Sequence, residues 1–363
     1  MKSETKIREK TRKVVQYIKL KKLFSGDNEF SKIHPELVDV WKKKFYQMIR
    51  YSSERTFPIV EEFLTVHFDK ISSREIQKSE KQIPILICAI KNDIEKITHF
   101  MEHYRKLGIR EFLFVDNMST DGTFEYLVQQ PDTIVYQCQN PFTADRKIAW
   151  MNRLIAEVGD NFWFLMVDSD EFVTYIDCDK YSIDELVNKC KQKGYKRLGS
   201  VMLDMYSKGP LFISDVKKNF IDEFKYMDKD TYKVTNENIG IKVKGGPRKR
   251  IFGTEMKLSK YALFYFESDD IVPSAHYLIP HEKGYNVPLC IGLLHYKFIN
   301  QSDYIKVIEA VETGMHSNNS EEYKTYFEGI KDNKTLSFYS EEHSILYTQD
   351  SLKKVDVIVS IFE

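Results

Sequence analysis

The stretch from Ile85 to Val167 constrains the fold more than any other part of the chain. Four short apolar runs, Ile85–Ile90, Phe112–Val115, Thr133–Cys138 and Phe162–Val167, alternate with three segments of helical periodicity, Ile94–Leu107, Gly122–Val128 and Thr143–Val158. Gly108, Pro131 and Gly159 close the helical segments. Near-continuous apolar runs are what strands buried on both faces require, so the pattern predicts an α/β fold with a mostly parallel central sheet flanked by helices. Sheets of this kind take ligands at the carboxyl ends of their strands. A binding site is therefore expected at those ends.

The fourth run stops abruptly at Asp168-Ser169-Asp170-Glu171. An unpaired carboxylate buried in a core costs roughly several kcal/mol, which argues against packing roles for three acids at that point. In an extended segment Asp168 and Asp170 point to one side, where both can face a hard divalent cation, Mn2+ or Mg2+. A cation with open positions can bridge the phosphates of a nucleotide diphosphate. The plainer reading is a solvated acidic turn. The same Asp-x-Asp also opens haloacid-dehalogenase-type phosphatases, but that pattern wants Thr or Val where Phe172 stands, on a first strand rather than a fourth.

Bulk properties narrow the rest. A length of 363 residues fits two domains, or one large domain with extensions. Zero formal net charge provides no global field for nucleic acid. The five scattered cysteines lack zinc-ligand spacing and read as free thiols of a reducing compartment. No run approaches the roughly 20 apolar residues of a membrane span, so a cytoplasmic protein is expected. Residues 1–80 read as an amphipathic helical extension, 81–300 as the α/β domain, and 301–363 as a helical segment with a tail. Lys2, Lys6, Arg8, Lys10, Arg12, Lys13, Lys19, Lys21 and Lys22 dominate the charges of the first 22 residues. They make either a solvated helix face or a peripheral contact with an anionic membrane. Beyond Asp170 a helix is expected at Ser182–Lys193 and strands at Gly199–Met205, Ala262–Phe266, Ala275–Ile279 and Leu289–Tyr296. Helices are expected at Asp303–Glu312 and Glu321–Gly329, and loops over 206–250.

Several pieces of the chain resemble family 2-type glycosyltransferases of the GT-A fold, in the bacterial branch with Lys-Asn-Glu and Asp-x-Asp-Glu-Phe motifs. They are Ile90-Lys91-Asn92-Asp93, the segment Phe114–Thr123 with Asp116-Asn117 at its centre, Asp168–Phe172, Leu203-Asp204-Met205-Tyr206, Gly245–Arg250 and Leu294–Phe298. Asp93 stands where that branch usually has Glu. The resemblance implies a GT-A nucleotide-diphospho-sugar transferase fold. It also implies an inverting transfer from a nucleotide-sugar donor, commonly a UDP-sugar, to a glycan or lipid-linked acceptor in surface polysaccharide or glycoconjugate synthesis.

It further implies roles for particular residues. Asp116 accepts a hydrogen bond from the base, Lys91 and Asn92 either touch the nucleotide or fix a loop, and Arg146 approaches the pyrophosphate or makes a surface pair. Ser119 and Asp121 read as turn and cap residues. Arg248 and Arg250, on one face if extended, clamp phosphate or belong to a plain basic hairpin. His295 completes a metal site with Asp168 and Asp170 or is a core histidine, and His276 is a weaker candidate. Asp204 is the expected catalytic base, with Glu171 as runner-up. Two other functions compete: a sugar-phosphate nucleotidyltransferase, disfavoured because no glycine follows the first strand before Gly108, and a non-catalytic nucleotide- or glycan-binding scaffold.

Overall fold

The computed structural model describes residues 2–51, 55–78, 83–212, 219–314, 320–331, 333 and 335–363, with side chains from residue 10 onward. The expected boundary at 80, part of the 206–250 stretch, and the side chains of Lys2, Lys6 and Arg8 lie outside the described residues.

Four helices open the chain: α1 (Lys2–Phe24), α2 (Glu29–Ile33), α3 (Val38–Arg50) and α4 (Thr56–Thr65). A short strand, β1 (Asp69–Lys70), follows. Then comes the expected alternation: β2 (Ile85–Ile90), α5 (Ile94–Leu107), β3 (Phe112–Asp116), α6 (Thr123–Val128), β4 (Thr133–Gln137), α7 (Ala144–Val158) and β5 (Phe162–Met166). Local signals account for these elements. In α5, Ile97, Phe100, Met101, Tyr104 and Leu107 recur at helical spacing on one buried face. Gly108, at φ 113°, ends that helix in the left-handed region open to glycine. Thr143 caps α7 by accepting the Arg146 N–H at 3.2 Å.

The second half supplies β6 (Glu171–Thr174), α8 (Ile183–Lys193), β7 (Gly199–Asp204), α9 (Phe220–Glu223), β8 (Tyr226–Asp228), β9 (Tyr232–Glu237), β10 (Gly240–Gly245) and α10 (Gly246–Phe252). Next come β11 (Ser259–Lys260), β12 (Leu263–Phe266), β13 (Ile271–Ser274), β14 (Tyr277–Ile279) and β15 (Leu289–His295). The chain closes with α11 (Gln301–Thr313), α12 (Glu321–Lys331), β16 (Ser344–Leu346) and α13 (Gln349–Leu352).

The main sheet runs β1-β4-β3-β2-β5-β12. Its four central strands are parallel, and β1 and β12 close its edges antiparallel. A second sheet, β11-β7-β15-β6, lies beyond β5. The chain passes from the first sheet to the second between Met166 and Glu171, and back between Lys260 and Leu263. These two crossings touch, because the Met166 N–H donates to the Ala262 carbonyl at 2.9 Å.

A continuous apolar core extends from Leu20 to Ile361. The N-terminal helices are part of it: Trp41 packs on Phe63 at 4.7 Å and on Phe266 of β12 at 6.3 Å between ring centroids. A second cluster, including Tyr206, Phe298, Tyr326 and Phe338, joins α11 and α12 to the body.

The expected loops at 206–250 instead contain the hairpin β9–β10 and helix α10. Strand β9 is exposed beyond Tyr232, so its polar sequence lacks the alternation that marks a half-buried strand. Around Pro247 the backbone is helical rather than extended. Proline at a helix start has the φ the first turn needs and no N–H to waste.

Candidate functional site

The crossing after β5 holds Asp168, Ser169 and Asp170, and β6 begins at Glu171. In the second sheet His295 lies opposite Glu171 on one side and Asp204 on the other. Register alone therefore places an acid, a histidine and an acid in one row across three strands, next to the crossing.

Two groups of charges form there. In the first, the Lys260 ammonium donates to Glu171 Oε1 at 2.5 Å and to Asp168 Oδ2 at 3.1 Å, and Lys147 pairs with Asp168 Oδ1. Glu171 Oε2 accepts the Asp168 N–H at 3.2 Å. Burial raises the Asp168 carboxyl, but Lys147 and Lys260 outweigh it and hold the group well below the usual carboxylate range. Burial dominates at Glu171 and pushes its carboxyl up despite Lys260.

In the second group, His295 Nδ1 meets Asp204 Oδ1 at 2.7 Å and His295 Nε2 faces Asp170 Oδ2 at 3.5 Å. Asp204 Oδ2 accepts from Arg248 Nε at 2.8 Å, and Arg248 Nη1 continues to Glu322 at 3.1 Å and Tyr326 at 3.2 Å. Burial alone would lower the His295 imidazole; Asp170 and Asp204 reverse that and lift it to about 9. Burial likewise works to raise Asp204, and Arg248 with His295 brings it below the ordinary value.

Both groups open into one cavity of about 250 Å³. Asp168, Asp170, Glu171 and His295 line it. Lys147, Lys260, Lys297, Arg248 and Arg55 add five cations to the lining, and α12 contributes Glu322 and Tyr323. Phe142, Ile148, Met202 and Met256 add apolar surface. Five cations converging on one hollow suit an anionic ligand such as a diphosphate.

The structure distributes the residues expected from sequence unevenly. Asp170 and His295 meet, while Asp168 is turned to lysines. Asp204 is 1% exposed, with both oxygens engaged, and does not line the cavity. That geometry makes it a support for His295 rather than a group open to an acceptor. Because α10 is helical, Arg248 and Arg250 do not share a face. Arg248 reaches the cavity, and Arg250 pairs with Asp228 at 3.0 Å outside the cavity lining. Arg146 pairs with Glu62 at 3.2 Å and also stays out of the lining. His276 lines the cavity, but its Nδ1 is bonded to the Ser259 carbonyl at 3.0 Å, and burial lowers it to about 4.

At the mouths of β2 and β3, Asn92 (φ 52°) takes the Thr120 N–H on its Oδ1 at 2.8 Å and donates its own N–H to Ser119 Oγ at 3.0 Å. That is the loop-fixing role. Lys91 is exposed. Asp116 is fully buried; its Oδ2 accepts from the Ser119 N–H at 3.1 Å and from Gln137 at 3.3 Å, and its Oδ1 has no partner among the described residues.

Sequence reasoning missed Lys147, Lys260, Lys297, Glu322 and Tyr323. Lys147 adjoins Arg146 on the first turn of α7, so the start of that helix carried a signal one residue off. Lys297 lay inside the Leu294–Phe298 piece without being given a role, and nothing local marked Lys260, Glu322 or Tyr323. Among the described residues, the three acids whose oxygens lie within 4.8 Å of one another are Glu267, Asp269 and Asp270. Lys283 reaches all three, so they form an ion-pair cluster of their own.

No family model matches the chain, and no curated protein matches it. Among solved structures it is similar to S. aureus TarS residues 1–349 (12% identity, 68% of this chain and 72% of that one, TM-score 0.30). It is also similar to HddC from Yersinia pseudotuberculosis (10%, 62% and 98%, TM-score 0.26) and to an apo UDP-glucose pyrophosphorylase (8%, 67% and 98%, TM-score 0.26). Scores this low leave the functional reading to the geometry of the site.

Proposed function

We propose that the protein is a glycosyltransferase of GT-A type that moves a sugar from a nucleotide-diphosphate donor, a UDP-sugar, to a hydroxyl of a glycan or lipid-linked acceptor. Asp170 and His295 would hold a divalent cation, Mn2+ or Mg2+. The observation that carries this reading is the Asp170–His295–Asp204 row. Asp170 Oδ2 and His295 Nε2 face each other at 3.5 Å, a spacing that suits two ligands of one ion, while Asp204 pins the other ring nitrogen. Metal-binding histidines almost always have their second nitrogen held in this way, so the donor set fits the ion. When bound, the ion neutralises charge on the departing diphosphate.

The chain's own groups supply the rest. Lys147, Lys260, Lys297 and Arg248 draw the diphosphate into the cavity and hold it. Asp168 and Glu171 keep Lys147 and Lys260 charged and in place. Asp116 Oδ1 is an unmet acceptor suited to the imide N–H of uracil, but it is fully buried and outside the cavity lining, so a base reaches it only if the turn after β3 opens. Asp204 orients His295. Among the cavity acids, we assign the acceptor's proton to Glu322, whose contacts with Arg248, Tyr326 and Lys297 all fall on Oε1.

Calorimetry tests the reading. UDP should bind the wild-type chain with Mn2+ present and at least roughly tenfold more weakly without it, and Asp170→Ala should remove the Mn2+ effect. Equal UDP binding with and without Mn2+ would sink the cation assignment. No binding of any sugar nucleotide would sink the donor assignment.

A further inference from the structure

We propose that the outer face of α1 is a docking surface for an anionic lipid bilayer. Leu20 and Phe24 anchor the helix to the core, and Tyr17 packs on Tyr46 with ring centroids 5.2 Å apart. The opposite face carries Val14, Val15 and Ile18 at 51%, 60% and 64% exposure. At 3.6 residues per turn Val14 and Ile18 stack one turn apart with Val15 beside them, so the three form one stripe.

Cations border that stripe on both sides. Lys10 and Lys21 flank it on one side and Arg12 on the other, and Lys22 continues it toward the C-terminal end. From Lys10 to Phe24 the helix carries six cations and no acid, in a chain whose formal net charge is zero. Among the described residues, Lys10, Arg12, Lys21 and Lys22 are in no ion pair, so their charges are available to a partner.

An apolar stripe between two cationic margins is what a helix lying in a membrane interface requires. The aliphatic side chains enter the acyl boundary while the ammonium groups stay among anionic headgroups. An acidic protein groove would match the charge, but offers no reason for the apolar stripe to be this exposed in the free chain.

The position of α1 gives the docking a consequence. Lys19 lies over the Phe57 ring at 4.3 Å and pairs with Glu61 at 3.7 Å, both on α4. Arg55, one residue before α4, lines the cavity. The docked surface is therefore borne by a helix that packs on α4, whose preceding residue reaches the cavity.

Vesicle co-sedimentation decides the matter. The full chain should bind phosphatidylcholine vesicles containing about one-third phosphatidylglycerol, at least tenfold more tightly than pure phosphatidylcholine, and should release with added salt. Lys10→Gln/Lys21→Gln/Lys22→Gln should weaken binding on the order of 100-fold. Val14→Ser/Val15→Ser/Ile18→Ser should weaken it at least roughly tenfold, with the melting temperature unchanged because the altered side chains face solvent. Ile18→Ser alone serves if the triple variant does not fold.

A wild-type chain that does not bind, that binds both lipids equally, or whose serine variants bind as wild type overturns the proposal. So does self-association through this face without vesicle binding, read by sedimentation velocity. Donor binding by calorimetry is a separate readout, and failure here leaves the proposed function standing.

Discussion

The turn after β3 and the crossing after β5 both place acids at the carboxyl edge of one parallel sheet, yet their carboxylates are held in different ways. In the turn, Asp116 and Asp121 accept mostly from backbone N–H groups. The Ser119 N–H reaches Asp116, and the Thr123 and Ile94 N–H groups reach Asp121, at 3.0 to 3.1 Å. At the crossing, Asp168, Asp170 and Glu171 meet charged side chains from α7, β11 and β15. Backbone donors are fixed and neutral, so they tie an acid into the fold. Ammonium and imidazole groups can turn toward a ligand, so they leave an acid available. The single unmet oxygen of Asp116 is where the turn departs from this rule.

Substitutions and a fall in pH test the difference between the turn and the crossing. Lys260→Met should give the largest effect of any single substitution. It leaves Glu171 and Asp168 without their shared cation in a buried place, and about 3–5 kcal/mol of stability should be lost in urea unfolding. A loss under about 1 kcal/mol would show that the crossing is solvated and that the distinction is false.

Acid should come next. Burial lowers His103, bonded to the Val173 carbonyl at 2.8 Å, and His276 to about 4 each. A histidine lowered in the folded state contributes nothing above its unfolded value of about 6.5 and costs stability as pH falls toward 4. His295, lifted to about 9, has the opposite sign: its contribution is full below about 6.5 and fades as pH rises to 9. Stability should therefore fall by roughly 3 kcal/mol for each of the first two histidines between pH 6.5 and 4. Urea midpoints in His103→Gln, compared with wild type across that range, check the first of these terms.

Asp204→Asn should weaken Mn2+ binding roughly 10-fold, because a neutral amide holds the ring nitrogen less strongly than the carboxylate does. Calorimetric Mn2+ titration reads this. Unchanged affinity would return Asp204 to the list of proton acceptors. The smallest effect belongs to the turn: Asp121→Ala should cost about 1–2 kcal/mol of stability and leave UDP affinity as it was. A large loss of UDP binding would make the turn a site in its own right.

The succession from β2 to β5 was legible in the residue order. Apolar runs, helical spacing and the caps at Gly108 and Thr143 act within a few residues, and the free energies they control are local. The residue order also exposed Asp168 and Asp170, because acids at the end of a buried strand contradict their surroundings. What those acids face came from the packing of distant segments. Lys260 reaches Asp168 from 92 residues away, His295 meets Asp204 across 91, and Arg248 meets Glu322 across 74. A lysine read in isolation looks like surface, and only the fold shows that Lys260 is 6% exposed between two carboxylates. The direction of Arg248 was likewise settled by one turn of helix at Pro247, which separated it from Arg250. Charge pairing at such distances is set by how two sheets meet, and no window of sequence contains that.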